Sequence, residues 1–375
     1  MKKKILLILH VPPPVHGAGL MGQYIQESKL LKSTFDCDYI NLSTSNHLNE
    51  IGKFGFKKLI GIVKLIFKVL KTVSKKRYDL CYMTINAKGS GWYKEMIIVF
   101  LLKLLRYPLV YHYHNKGVST NQNNWLLNKL YGYQFKNSRI ILLSSRLYYD
   151  IEKYVPKEKV YYCPYGIPIV CDIDLCSVNL KRTARGVPEL LFLSNMMEEK
   201  GVYTLLEASK LLFNEGISFK TYFVGASSDV TEADFNKFIS LNNLQNNVEY
   251  VGKKYNDEKS IYFEQADIFV FPTYYHNETF GLVNLEAMQY GLPIISTNEG
   301  AIPDLVEDGV NGFIIPKKDA KTLANKIEFL INNPDICKEM GKNGRKRFED
   351  KYTLDIFEQN YVKTMQQIIT DFDIN

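Results

Sequence analysis

Long apolar runs are missing from this chain of 375 residues, and their absence limits what it can be. The nearest to one, Met96 to Leu102 before Lys103, falls far short of the ~18 residues a membrane-spanning helix needs. The opening residues, Met1-Lys-Lys-Lys-Ile-Leu-Leu-Ile-Leu-His-Val-Pro-Pro-Pro, imitate a secretion signal. Only five apolar residues precede His10, however, against the ~7 to 15 such a signal requires, so a buried first strand is expected. Cysteine is sparse. The six thiols, at positions 37, 81, 163, 171, 176 and 337, form no metal-type C-x-x-C pair, so reduced thiols in a cytoplasm are expected and structural disulfides are not. No repeat of ~20 to 50 residues and no low-complexity tract is present, which removes solenoid architectures.

What the chain does hold is enough apolar material, 46%, to pack two cores, and its 375 residues exceed the size at which one core usually divides. Its charge is divided too. Residues 1 to 172 hold 26 Lys and Arg against 10 Asp and Glu, and the remainder hold 21 against 30. Nine basic and no acidic residues lie between Lys53 and Arg77. There Lys57, Lys64, Lys68, Lys71 and Lys75 recur at helical spacing, with Leu59, Ile62, Val63, Ile66, Val69 and Val73 on the other side, which describes a basic amphipathic helix. Its apolar face serves the protein's own sheet, an anionic membrane surface, or both. Nucleic acid is disfavoured, because the lysines are not interleaved with stacking aromatics and no binding motif accompanies them.

Short apolar runs at Lys4 to Leu9, Cys37 to Ile40, Leu80 to Met83, Leu109 to Tyr113, Ile140 to Leu143 and Val160 to Tyr162 alternate with helical patterns. That rhythm predicts an α/β fold with a doubly wound parallel sheet over residues 1–172. Residues 173–188 are polar and aperiodic and read as a linker. A second set of strands then begins: Glu189 to Leu193, Phe219 to Val224, Val248 to Val251, Ile268 to Phe271, Pro293 to Ser296 and Gly312 to Ile315. Residues 189–352 form the second domain on this reading, and a final helical pattern follows in 353–375. Two Rossmann-like domains facing a central cleft are expected, with ligands at the carboxyl ends of their strands.

Glu278 and Glu286 stand eight positions apart in a segment running from the apolar stretch that ends at Phe271 to Gly291-Leu-Pro. The strand should end at Pro272, a loop should carry Glu278, and a helix should open near Gly281, with its first N–H groups around Phe280 to Leu282 beside Glu278. Such a helix start attracts phosphate, and two acids flanking it can accept sugar or ribose hydroxyls. A solvated glutamate plus an ordinary helix-face one is the plainer alternative.

Competing motifs are weaker. Gly17-Ala-Gly-Leu-Met-Gly22 matches G-x-G-x-x-G, but His10-Val-Pro-Pro-Pro-Val-His16 separates it from the first strand, which argues against a dinucleotide site. Gly17 and Gly19 still permit close backbone approach to an anion or substrate. Asp36-Cys-Asp38, Asp172-Ile-Asp174 and Asp371-Phe-Asp373 imitate a D-x-D metal motif without further ligands at hand, so no metal is assigned. His112 and His114 lie at the end of Leu109 to Tyr113. An alternating histidine pair is more often structural than catalytic, and His114 is the catalytic candidate because its strand end faces the expected cleft.

The chain resembles the retaining, two-domain GT-B glycosyltransferases of family 4 over nearly its whole length. The resemblance is densest from Leu190 to Pro316: the paired-glutamate block, then Gly291-Leu-Pro-Ile-Ile-Ser-Thr, then Asn298-Glu-Gly-Ala-Ile-Pro-Asp-Leu-Val-Glu-Asp-Gly-Val-Asn-Gly-Phe. It implies that Glu278 contacts the transferred sugar, Glu286 the ribose, and the backbone of Phe280, Gly281 and Leu282 the distal phosphate, with Thr279 also among the donor-binding residues. Lys200, in Leu191-Phe-Leu-Ser-Asn-Met-Met-Glu-Glu-Lys-Gly201, takes the place of the lysine that neutralises the diphosphate. Asn195 stands where the family commonly has arginine, so one of two expected cations is missing, and Lys116, Lys253 and Lys254 are the candidate substitutes. His114 corresponds to the family's histidine that positions the donor sugar.

Further implications follow from the same resemblance. The enzyme needs no cofactor and no metal, and its co-substrate is a nucleotide-diphosphate sugar, with a UDP-sugar favoured over a GDP-sugar. The resemblance gives the acceptor to the first domain; the basic, amphipathic character of that domain and a composition rich in lysine, asparagine, isoleucine and tyrosine add the expectation of a saccharide or lipid-linked saccharide in bacterial surface polysaccharide assembly. The reduced thiols and the basic helix add an expectation of their own: a cytoplasmic protein, peripheral on the inner face of the plasma membrane if Lys53 to Arg77 meets anionic lipid. The final helix, from Thr353 to Ile369, crosses back onto the first domain. Two alternatives stay open: a catalytically silent GT-B protein that binds glycan or a partner transferase, and a GT-B nucleotide-sugar epimerase.

Overall fold

The structure, a computed structural model, describes residues 2–13, 17–43, 56–170, 173–174, 178, 180, 182 and 184–374. The side chains at 56–59 and 256 lie outside that description, as do Lys53, Cys171, Asp172 and Cys176. The chain forms two compact units: Met1–Tyr165 with Asp355–Asn375, and Gly166–Leu354.

Unit 1 holds six strands, β1 (Lys4–Leu9), β2 (Asp36–Asn41), β3 (Leu80–Ile85), β4 (Leu109–Tyr113), β5 (Ser138–Leu142) and β6 (Val160–Tyr162), in the order β2-β1-β3-β4-β5-β6. Every pairing is parallel. Helices cover both faces of such a sheet, so β1, β3 and β4 are nearly continuous apolar runs with no polar alternation. The helices are α1 (Gly17–Glu27), α2 (Lys29–Thr34), α3 (Phe56–Lys75), α4 (Gly89–Leu104) and α5 (Trp125–Phe135). Ser28 caps α2 by accepting from Leu31 N–H, and Asn124 caps α5 by accepting from Leu126 and Leu127.

The apolar face of α3 is divided. Leu65, Val69 and Val73, each four residues apart, are buried, while Ile60, Val63 and Phe67 are exposed beside Lys64, Lys68, Lys71 and Lys75. Val63 was expected with the inward residues. The helix is wide enough in its apolar arc to face two directions, and only one row fits beneath.

Unit 2 repeats the architecture with β7 (Glu189–Leu193), β8 (Lys220–Val224), β9 (Val248–Gly252), β10 (Ile268–Phe271), β11 (Ile294–Thr297) and β12 (Gly312–Ile315), ordered β12-β11-β10-β7-β8-β9 and all parallel. Its helices are α6 (Val202–Asn214), α7 (Glu232–Leu241), α8 (Asn256–Gln265), α9 (Leu282–Gln289), α10 (Ile302–Leu305), α11 (Ala320–Asn332) and α12 (Pro334–Lys351). The last helix, α13 (Leu354–Asp373), returns to unit 1. It buries Phe357, Tyr361, Met365 and Ile368, sets Tyr361 edge-on to Tyr82 of β3 at 5.5 Å, and bonds through Asp371 to Tyr161 and Arg139.

The stretch expected as a bare linker contains helix. Val178, Leu180, Arg182, Ala184 and Arg185 are helical, and Arg182 donates to the carbonyls of Glu264, Phe263 and Tyr290 at 3.0, 2.9 and 3.1 Å. An arginine rather than an apolar row holds that segment to unit 2, so no hydrophobic period marks it in the sequence. The units part at Tyr165 and again at Leu354, where the composition placed the boundaries at 172 and 352. The two crossings run side by side: Ile167 N–H donates to Tyr352 O at 3.0 Å and Leu354 N–H to Ile167 O at 2.8 Å.

Candidate functional site

In unit 2 the strand order reverses between β7 and β10, and ligands of open parallel sheets bind beyond the carboxyl ends of the strands at such a switch. Two loops leave that point. One follows β7 from Ser194 into a single turn at Glu198–Lys200, and the other follows β10 from Pro272 to Gly281. They are stitched together: Tyr274 N–H donates to Glu199 O at 2.8 Å, and the Thr273 hydroxyl reaches the same carbonyl at 3.3 Å. The stitching sets Lys200 Nζ 2.7 Å from Glu278 Oε2, with the ammonium 4.4 Å above the Tyr275 ring. The second carboxylate oxygen of Glu278 accepts from Gly281 N–H at 3.1 Å. Both side chains of the ion pair are mostly buried, 15% and 12% exposed, so their attraction is weakly screened.

Gly281 begins α9. Its φ of +73° lies in the left-handed region, and a Cβ there would sit 2.6 Å from Asn284 Nδ2, so the turn requires glycine. The first amides of α9, at Leu282 and Val283, have no intrahelical acceptor. Asn284 is fully buried, and both its amide atoms lack a protein partner among the described residues. Thr279 and Phe280 are buried, the latter against Tyr352 at 6.2 Å. Gly300 holds the loop from the other side: Ala301 N–H donates to Thr279 O at 2.8 Å, and a Cβ at Gly300 would meet Glu278 O at 2.7 Å and Thr279 O at 2.8 Å. Glu286 lies on α9 and pairs with Lys259 of α8 at 2.8 Å.

The substitute cations are placed separately. Asn195 is exposed just past β7, Lys253 lies 4.5 Å over the Tyr255 ring, Lys254 faces Glu258 at 3.9 Å, and Lys116 is buried in unit 1. A cation the sequence reasoning passed over is Lys317, 2.6 Å from the buried carboxylate of Glu299. Glu299 also accepts from Gly300 N–H at 3.1 Å, which puts this pair against the Glu278 loop. Both residues stand two positions past a strand's end, Glu299 after β11 and Lys317 after β12, and that placement was the signal.

In unit 1, His112 and His114 lie on one face, ring centroids 4.3 Å apart, as residues two positions apart on a strand must. His112 is fully buried and bonds through Nδ1 to the Tyr82 hydroxyl at 2.7 Å; burial pushes its pKa down to about 3, so it is neutral. His114, half-buried just past β4, bonds through Nδ1 to the hydroxyl of Tyr165, and the two rings stack at 5.5 Å. Tyr165 escaped the sequence reading because nothing in its spacing relates it to His114. The order of this sheet reverses between β1 and β3, and there His10 Nε2 meets the buried carboxylate of Glu95 at 3.1 Å while its Nδ1 meets Thr84 Oγ1 at 3.0 Å. Gly17 and Gly19 form the first turn of α1, with Gly19 buried.

Asp36 and Asp38 share Lys76 at 2.8 and 3.0 Å, and Asp38 also accepts from Tyr78 at 2.8 Å, so that D-x-D pair is an internal ion pair. Among the described residues no cluster of three or more His, Cys, Asp or Glu is arranged to hold a metal ion.

Residues 181–347 match the family Glycosyl transferases group 1, a stretch that includes the Lys200 and Glu278 loops. The capsular polysaccharide biosynthesis glycosyltransferase CapM of Staphylococcus aureus is 34% identical over 165 residues, 44% of this chain and 42% of that protein. The amylovoran biosynthesis glycosyltransferase AmsK of Erwinia amylovora is 28% identical over 73% of this chain and 66% of its own length. These matches thus span about half to two thirds of the relatives. Among solved structures, a sucrose-phosphate synthase of Thermosynechococcus elongatus superposes with a TM-score of 0.76 at 20% identity, covering 99% of this chain and 100% of that one. Anabaena Alr3699/HepE in complex with UDP gives 0.71 at 17% identity, covering 97% and 100%. The fold is therefore the two-domain α/β GT-B fold.

Proposed function

We propose that the chain is a retaining, metal-independent glycosyltransferase that moves a sugar from a nucleotide-diphosphate sugar, a UDP-sugar before a GDP-sugar, to a saccharide or lipid-linked saccharide in bacterial surface polysaccharide assembly. The observation that carries this is the Lys200–Glu278–Gly281 constellation at the switch point of unit 2. Breaking the anomeric bond builds negative charge on the departing diphosphate, so a fixed cation and amides aimed at that phosphate are the main catalytic device. Lys200 supplies the cation, the start of α9 supplies the amides, and Glu278 accepts sugar hydroxyls. Glu286 receives the ribose. His114 positions the transferred sugar. Retention follows from attack on the face the diphosphate leaves, a phosphate oxygen taking the acceptor proton.

The polysaccharide context is supported by relatives named for capsular and amylovoran biosynthesis. The basic face of α3 supports a lipid-linked acceptor reached at the cytoplasmic side of a membrane, although no helix among the described residues is long and apolar enough to cross one. A thermal-shift screen of uridine and guanosine diphosphate sugars, followed by assay of donor hydrolysis without acceptor, tests the reading. Stabilisation by one donor with slow release of nucleoside diphosphate is expected. Binding without hydrolysis or transfer identifies the silent alternative, and no stabilisation by any donor refutes the proposal.

A further inference from the structure

In unit 1 the connections β2–α3–β3, β3–α4–β4 and β4–α5–β5 all advance across the sheet in one direction, so their right-handed crossovers set α3, α4 and α5 on the same face. The outer surface of that layer is apolar. Tyr93, Ile97, Phe100 and Leu104 follow one another along α4 at spacings of four, three and four residues, and with Ile60, Val63 and Phe67 of α3 they are 43 to 79% exposed. Trp125 and Leu126 of α5 are exposed as well, and Tyr133 stacks on Phe100 at 4.5 Å. The inward row of α4, Trp92, Met96, Val99 and Leu102, is already buried, so the outward row does nothing for the core.

A second apolar row at helical spacing, left in water, calls for a partner. Its chemistry is set by the charges around it. Lys64, Lys68, Lys71 and Lys75 are exposed along α3, and neither α3 nor α4 exposes an acidic side chain, Glu95 being buried under His10 and Asn86. A second copy docked here about a two-fold axis would set these lysines against their own counterparts. An anionic bilayer complements both features, taking the aromatic and aliphatic row into its interface and the ammonium groups among its phosphates. The sixteen residues of α4 make a rod of ~24 Å, below the ~30 Å of a hydrocarbon core, so the helix lies in the surface and does not cross it.

We infer that the outer face of the α3–α4–α5 layer, with the α4 row Tyr93, Ile97, Phe100 and Leu104 as its wedge, is a docking surface for anionic phospholipid. The row begins one turn into α4, just beyond the carboxyl end of β3, where Asn86 N–H meets Glu95 at 2.7 Å. Docking therefore brings lipid headgroups to the ligand-binding edge of unit 1. The inference deepens the lipid-linked acceptor reading and rests on it for purpose, not for its physics.

The test is flotation of the full chain with vesicles of phosphatidylcholine and phosphatidylglycerol, and with phosphatidylcholine alone. Binding is expected to the first and not the second, and to weaken as salt rises. The double variants Ile97→Gln/Phe100→Gln and Lys68→Glu/Lys71→Glu should each lower partitioning at least about tenfold, while the thermal shift by UDP-sugar stays unchanged. Failure of the unmodified chain to float, equal flotation with phosphatidylcholine alone, or loss of a dimer rather than of vesicle binding in the variants would each overturn the inference. Vesicle binding by a chain that no donor stabilises would leave this surface standing and sink the transferase reading alone.

Discussion

Replacing Lys200 with alanine separates a catalytic cation from a structural one. The ammonium sits 2.7 Å from Glu278, and both groups are mostly buried. Its loss leaves a carboxylate whose remaining bond in the pair's surroundings is to Gly281 N–H, costing about 1–2 kcal/mol of stability as an imperfectly satisfied buried charge. In a unit of this size that lowers Tm by roughly 2–8 °C. For a fold worth even about 5 kcal/mol, such a loss leaves under about 1% of molecules unfolded, so it cannot mimic a catalytic defect. A cation aimed at the departing diphosphate is worth more in the transition state, about 2.7–4 kcal/mol, or a 10² to 10³ fall in turnover. Transfer by Lys200→Ala at saturating donor, assayed well below the lowered Tm, should show that fall. Glu278→Gln is its complement. Without the carboxylate the ammonium no longer has to leave a partner to meet phosphate, so UDP should bind as well or better while transfer drops through the lost sugar contact. Near-normal turnover by Lys200→Ala would refute the reasoning, whatever happens to Tm.

Three further outcomes are expected. The Tyr165 hydroxyl bonded to Nδ1 fixes the orientation of the His114 ring; Tyr165→Phe should lower kcat roughly fivefold to tenfold with donor KM nearly unchanged, and an equal rise in KM would argue against the positioning role. Gly300→Ala, with φ of +56° and carbonyls of the Glu278 loop within 2.8 Å of the new methyl, should cost about 1–2 kcal/mol and also impair transfer, read by denaturant midpoint and kcat together. His112 has a folded pKa of about 3, below the ~6.5 of the unfolded chain, so its contribution is complete above ~6.5 and is lost as pH falls toward 3 by about 1.4 kcal/mol per unit. Unfolding free energies from urea melts of wild type and His112→Asn between these limits should differ in their slope against pH by that amount, and parallel slopes would show the histidine is not held neutral.

The strands were legible because a sheet covered on both faces writes itself as unbroken Val, Ile, Leu and Phe. The runs Lys4 to Leu9, Leu109 to Tyr113 and Glu189 to Leu193 coincide with observed strands. Glu278 and Glu286 could be located because a proline, a glycine and a helical period bracket them. Three things lay beyond reach. Tyr165 and His114 are 51 residues apart and meet only through the fold. The helical segment around Arg182 is held by bonds to carbonyls, which leave no apolar period. The second row of α4 could not be told from core, since periodicity shows which residues share a face and not whether anything covers it.

The return of α13 to unit 1 makes that unit a chain interrupted by another. On the ribosome, the whole of unit 2 is synthesised before Tyr361 can close over Tyr82. Gly166–Leu354 can collapse as it emerges, whereas the first 165 residues wait with a gap in their core and an apolar helical layer in water. Any shortened product that stops before Asp355 would pair a finished second unit with an unfinished first one, and proteolysis should erode such a product from its amino-terminal half.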